Sequence, residues 1–180
     1  ADVSVHENHG SIDIKGDWIE PDSAKGDFTL VALPDTQTLL KTRPELYPTL
    51  FQWIADNAQK ENIRYVMSLG DNVDDGGIAA QWETAKAGFA LLEGRVPYTL
   101  IPGNHDYINW GSYRPIGNYD KAFPAEKFAD WDSLQGVFEE GSMANSYHCF
   151  SVCGIDYMIL ALEFMPRDAV LDWACQVVEA

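Results

Sequence analysis

The chain has 180 residues, 46% of them hydrophobic, with 28 acidic against 12 basic side chains and a formal net charge of −16. That composition supplies one globular domain with its own core, and the negative field excludes docking on nucleic acid unless cations intervene. The longest apolar runs, such as YMILAL, are far too short to span a membrane.

Residues 1–26 are polar, punctuated by glycine and without periodicity, so they read as an extended N-terminal arm ahead of a domain over residues 27–180. FTLVAL then predicts a buried strand halted by Pro34. In KTRPELYPTLFQWIADNAQKEN the apolar residues at 46, 50, 53, 54 and 58 have helical spacing, with Thr42 a candidate N-cap and Pro48 a candidate start. IRYVMSLG predicts a second strand, and IAAQWETAKAGFALLEG a second helix closed by Gly94. VPYTLIPGNHD is the third strand. This alternation implies right-handed βαβ units and a largely parallel sheet.

Residues 107–145 lose all periodicity and are rich in Tyr, Trp, Gly, Pro and Asp, the mark of a long functional or disordered loop. NSYHCFSV, CG and IDYMILALE read as a β-hairpin, and Pro166 opens a last helix. Cys149, Cys153 and Cys175 have no CxxC spacing and read as buried thiols. The chain starts at Ala1 without methionine or an apolar signal core, which fits a mature secreted or periplasmic form, favoured over a cytoplasmic one, and equally a trimmed chain.

Three strand ends carry the chemistry: Asp35-Thr36-Gln37, Gly70-Asp71-Asn72-Val73-Asp74 and Gly103-Asn104-His105-Asp106. Ligands of an open parallel sheet bind beyond the carboxyl ends of its strands. Carboxylate and amide oxygens are hard donors for Mg²⁺, Mn²⁺ or Ca²⁺, and an imidazole widens the choice to Fe or Zn. Asp35 alone reads as a turn residue, and Asp71 with Asp74 as a helix cap. Neither reading explains Asn104 and His105 together at the third strand end.

GDNVD, then GNHD about thirty residues later, with D-x-Q upstream, resembles the calcineurin-like metallophosphoesterase family, whose pattern is D-x-H, G-D-x-x-D and G-N-H-D/E. The resemblance implies an α/β fold, a four-layer α/β/β/α sandwich of which this chain holds the first sheet and the start of the second. It implies two divalent metal ions: Asp35 and Gln37 on the first, Asp71 bridging both, Asn104 on the second. His105 would give a proton or hydrogen bond to the leaving group, with Asp74 orienting it and keeping it cationic. The implied activity is hydrolysis of small-molecule phosphate mono- or diesters by a metal-bound hydroxide. The rival is a non-catalytic metal-binding remnant or ligand-binding module of the same fold.

Three departures stand out. Gln37 replaces the family histidine, and an oxygen donor there favours Mn²⁺ or Mg²⁺ over Fe or Zn. GDNVDDGG carries Asp75 where the protein serine/threonine phosphatases have the phosphate-gripping Arg of G-D-x-V-D-R-G. The later G-H and G-H-x-H motifs have no counterpart, since no His follows His148. The expectation is therefore an N-terminal portion of the domain, with a weak first metal site, an empty or very weak second one, and exposed apolar surface for self-association or a complementing C-terminal segment.

Arg114 is the nearest cation that could meet a phosphate. His6 and His9 read as a solvated H-x-x-H rather than a metal site, and His148 as structural. Trp53, Trp82 and Trp173 read as core; Tyr107, Trp110, Tyr113 and Tyr119 are placed to line a substrate cleft.

Overall fold

In the computed structural model, which describes residues 26–108 and 116–180, the first half runs β1 (Thr29–Leu33), α1 (Gln37–Thr42), α2 (Tyr47–Asn57), β2 (Ile63–Ser68), α3 (Ala79–Phe89) and β3 (Tyr98–Thr99). The second half runs α4 (Gly117–Ala122), β4 (Leu134–Val137), β5 (Ser146–Val152), β6 (Ile155–Ala161) and α5 (Asp168–Glu179). Strands β1, β2 and β3 form a parallel sheet in that order, and β4, β5 and β6 an antiparallel one. Strand β2 is buried almost throughout, as a central parallel strand covered on both faces must be.

One face of the first sheet packs on α2 and α3. Phe51 lies 5.0 Å from Tyr47 and 4.8 Å from Phe89, which reaches Tyr98 of β3 at 5.0 Å. Each such ring, fully buried, contributes about 1.5–3 kcal/mol. On the other face Tyr65 of β2 stacks on Phe150 at 5.5 Å and meets His148 edge-on at 5.7 Å. Along β5 the buried Ser146, His148, Phe150 and Val152 alternate with half-buried Tyr147, Cys149 and Ser151. Trp173 of α5 packs on Tyr147 and Phe138. Helix, sheet, sheet and helix thus stack as four layers.

The predicted first helix is two. Pro44 disfavours the α region for the residue before it, and Arg43 indeed sits at φ −143°, ψ 59°, so α1 stops at Thr42, which is not an N-cap. Helix α2 then starts at Tyr47, with Pro48 in its first turn. Its buried face is Tyr47, Phe51, Ile54 and Ala55, rotated from the predicted stripe, which leaves Leu46 and Trp53 exposed at 47% and 57%. Trp53 is therefore not core, whereas Trp82 is buried and Trp173 half-buried.

The apparently structureless stretch contains α4, a 3₁₀ turn over Ala125–Phe128 and strand β4. Tyr107 borders a cavity together with Asp120 and Arg167, whereas Tyr119 is no part of its lining. Both are buried, and the Tyr119 hydroxyl donates to the Leu100 carbonyl at 3.0 Å. The hairpin turns at Cys153-Gly154, both with positive φ (53° and 77°), the backbone of a two-residue turn matched to strand twist. Cys149 is half-buried, and Cys153 and Cys175 are exposed rather than buried, at a turn tip and on α5. His148 is structural: it is buried, shares a 3.0 Å hydrogen bond with Ser146 Oγ, and burial pushes its pKa down to about 3. His6, His9, Trp110, Tyr113 and Arg114 lie outside the described residues. Among the described residues no helix is long and apolar enough to cross a membrane.

Candidate functional site

The three parallel strands deliver their loops to one edge, and the loops are tied to each other more than to the sheet. The β2–β3 ladder ends at the pair Met67 and Thr99, before either polar motif begins. Beyond it, the Gln37 N–H donates to the Asp71 carbonyl at 2.9 Å, and the Gly76 N–H to the His105 carbonyl at 2.8 Å.

Asp71 stands at the centre. Its Oδ1 accepts the His105 backbone N–H at 2.9 Å, and its Oδ2 accepts Gln37 Nε2 at 3.2 Å. One carboxylate oxygen therefore faces the third strand end and the other faces the first. Gln37 Oε1 is buried and has no hydrogen-bond partner. A buried amide oxygen left without a donor forfeits about 1–3 kcal/mol, and a cation beside Asp71 is a chemically suitable partner for it. Asp35 and Asp71 hold left-handed backbone at φ 44° and 49°, strain of a kind that collects at functional sites.

Gly70 and Gly103 let the loops meet. A Cβ on Gly103 would lie 2.2 Å from Asp71 Oδ1 and 2.3 Å from its backbone nitrogen. Gly70 has φ +97°, and its Cβ would lie 2.7 Å from the Gly103 Cα. No side chain larger than hydrogen fits at either position.

His105 and Asn104 are half-buried on the third strand end. The His105 Nδ1–H donates to the Asp74 backbone carbonyl at 2.8 Å. A carbonyl can only accept, so the proton sits on Nδ1 and Nε2 is the nitrogen turned to chemistry. Asp74 thus orients His105 through its main chain, a correction to the expected carboxylate contact. Its carboxylate instead pairs with Lys41 Nζ of α1 at 2.8 Å, because Lys41 sits one helical turn beyond Gln37. The exposed lysine makes this pair worth little to stability.

Sequence reasoning gave Asp106 no role and passed over Lys41. Asp106 is buried, and its carboxylate accepts four N–H donors from the two neighbouring loops. Burial pushes its pKa up to about 6, against the lowering effect of those donors. Its place as the fourth position of GNHD was the available signal. Arg114 lies outside the described residues, so its phosphate role has no geometry here.

A cavity of about 240 Å³ is lined by Tyr107, Asp120, Ser142, Glu163 and Arg167, among others, and by none of the strand-end candidates. The Arg167 guanidinium is held by Glu163 at 2.9 Å and Glu139 at 3.0 Å, so its charge is already matched. Among the described residues no three His, Cys, Asp or Glu side chains form a metal-holding group. The candidate donors are two carboxylates and two amides, a hard oxygen set.

The family described as Calcineurin-like phosphoesterase matches residues 12–163, which includes all three strand-end motifs. A protein of Bacillus subtilis (strain 168) named "Uncharacterized protein YvnB" is 32% identical over 158 residues. That match takes in 87% of this chain and 12% of the Bacillus protein. No solved structure matches the chain. The motifs, the four-layer fold and the family match agree, and the chain belongs to the calcineurin-like phosphoesterase family.

Proposed function

We propose that the chain carries the metal-dependent hydrolytic site of a phosphoesterase acting on small phosphate mono- or diesters. One observation carries this reading: Asp71 turns its two carboxylate oxygens to two different strand ends, while Gln37 Oε1 lies buried beside it without a partner. In this reading Asp35, Gln37 and Asp71 hold one divalent ion, and Asp71 and Asn104 a second. Such ions supply Lewis-acid charge that stabilises charge developing on the phosphoryl oxygens. An amide oxygen at position 37 favours Mn²⁺ or Mg²⁺ over Fe or Zn.

The chain's own residues do the rest. Gly70 and Gly103 bring the Asp71 carboxylate against the third loop. His105 is fixed at Nδ1 by the Asp74 carbonyl, so in its imidazolium form the Nε2–H would pass its proton to the leaving-group oxygen, leaving the neutral Nδ1–H tautomer. Lys41 holds the Asp74 carboxylate at the rim.

The test is hydrolysis of p-nitrophenyl phosphate and bis(p-nitrophenyl) phosphate with Mn²⁺ or with EDTA, in the wild type and in Asp71→Asn. Asparagine tolerates the left-handed backbone at position 71, so the fold is retained. The expected result is Mn²⁺-dependent turnover that Asp71→Asn abolishes together with Mn²⁺ binding. A variant as active as the wild type overturns the proposal. A second reading, a ligand-binding module without turnover, is favoured by the small number of carboxylate and imidazole donors. It predicts Mn²⁺ binding with no hydrolysis of either ester.

A further inference from the structure

The residues that would hold metal lie beyond the reach of the sheet. The last β2–β3 ladder pair is Met67 with Thr99, whereas the candidate ligands are Asp71 and Asn104. Ladder hydrogen bonds therefore do not set the spacing between these two loops, and something else must.

Asp106 is in the position to do so. It is only 1% exposed. Its Oδ2 accepts the Gly103 N–H at 2.8 Å, the Asn72 N–H at 3.1 Å and Asn72 Nδ2 at 2.9 Å, and its Oδ1 accepts the Val73 N–H at 2.9 Å. Two of the donors, Asn72 and Val73, follow Asp71 directly; the third, Gly103, precedes Asn104. Asn72 extends the link, donating to the Ile101 carbonyl at 2.9 Å and accepting from Ser68 Oγ at 2.6 Å. The chain of bonds runs from the end of β2 to the loop after β3. All four partners of the carboxylate are N–H groups, so only an acceptor on both oxygens satisfies them. An amide would turn one NH₂ against an N–H and leave buried donors unpaired.

We propose that Asp106 is a positioning residue of this site, clasping the Asp71 loop to the Asn104 loop and so fixing the separation of the metal-holding groups. The inference rests on the metal-dependent reading above, and it concerns geometry: Asp106 touches neither substrate nor metal. Groups that orient metal ligands in this way commonly change metal affinity by about 10- to 100-fold when altered.

The experiment compares wild type and Asp106→Asn by amide hydrogen exchange and by Mn²⁺ titration, read by electron paramagnetic resonance of free Mn²⁺. The expected result is loss of protection at the Asn72, Val73 and Gly103 amides while β5 amides stay protected. The half-saturating Mn²⁺ concentration rises about tenfold or more. The deficit in turnover shrinks as Mn²⁺ is raised, whereas a merely destabilised protein would lose rate by one factor at every Mn²⁺ concentration. Unchanged protection at the three amides, or an unchanged half-saturation point, overturns the clasp. A wild type that binds no Mn²⁺ defeats the metal-dependent reading instead, and the exchange measurement then decides the clasp alone. If Asp106→Asn does not fold, Asn72→Ala removes one of the four donor contacts, the one from Nδ2, while its backbone N–H remains. It is expected to shift the same two readouts in the same direction by less; no shift in either overturns the clasp.

Discussion

Gly103→Ala adds one methyl group where the third loop meets Asp71. The new Cβ would lie 2.2 Å from Asp71 Oδ1, 2.3 Å from its backbone nitrogen and 2.9 Å from its carboxyl carbon. Ordinary contact to carbon begins near about 3.5 Å, so the loops must part by roughly 1 Å. The obstacle includes main chain, so no side-chain rotation relieves it. Overpacking of this kind costs about 1–3 kcal/mol of stability. A shift of about 1 Å in a catalytic constellation costs on the order of 100-fold in rate. The assay is kcat/KM for bis(p-nitrophenyl) phosphate at fixed Mn²⁺, beside urea unfolding of the same protein. The control is Gly117→Ala, where a Cβ meets nothing within 4 Å. Gly103→Ala is expected to lose about 100-fold while the control stays within a factor of about three. A Gly103→Ala enzyme within threefold of wild type would refute the argument that the two loops must touch.

His105→Ala is expected to keep Mn²⁺ binding and lose about 10²- to 10⁴-fold in rate. Because p-nitrophenol leaves without much protonation, the loss should be smaller for its ester than for an alkyl ester; equal losses in the two kinetic series would remove the proton-donor role. His148, with its pKa held near 3 by burial, makes stability fall with acid. Its folded pKa lies below the unfolded value, so the unfolded chain binds the proton first, and stability is lost as pH falls from about 6.5 toward 3. Between pH 7 and pH 5 the loss from this group is about 2 kcal/mol. Urea midpoints should show His148→Gln losing less stability over that interval than wild type, and the same loss in both would exclude His148 as the cause.

The parts of this protein that could be read from sequence are those fixed by short-range rules. The two positive-φ positions at Cys153-Gly154 mark the hairpin, and the near-continuous apolar run of β2 marks a buried parallel strand. The strand-end motifs are local too, which is why Asp35, Gln37, Asp71, Asn104 and His105 could be named together. What was illegible depends on partners distant in sequence. The α2 face is chosen by Phe89 and the sheet, which turns Tyr47 and Phe51 inward and leaves Trp53 outside. Strand β4 is four residues with a glycine and a register shift, too short and irregular for alternation to reveal. The third strand looked long because Leu100 and Ile101 are apolar, yet only Tyr98 and Thr99 enter the ladder. Asp106 is the clearest case: its role lies in donors supplied by residues more than thirty positions earlier as well as by Gly103.

The Asp74 correction has the same origin. A carboxylate beside a histidine suggests a side-chain pair, but the turn after Asp71 presents the main-chain carbonyl to His105 and leaves the carboxylate to Lys41. Replacing the Asp74 side chain should therefore cost less than replacing His105.

Metal-dependent hydrolysis at these strand ends requires a divalent cation bound between them. A crystal grown or soaked with Mn²⁺, with anomalous data collected at the manganese edge, locates that cation without reference to activity. The expected result is a peak in contact with Gln37 Oε1 and the Asp71 carboxylate, lost in crystals of Asp71→Asn. Manganese bound elsewhere, or a peak that persists in that variant, would contradict it.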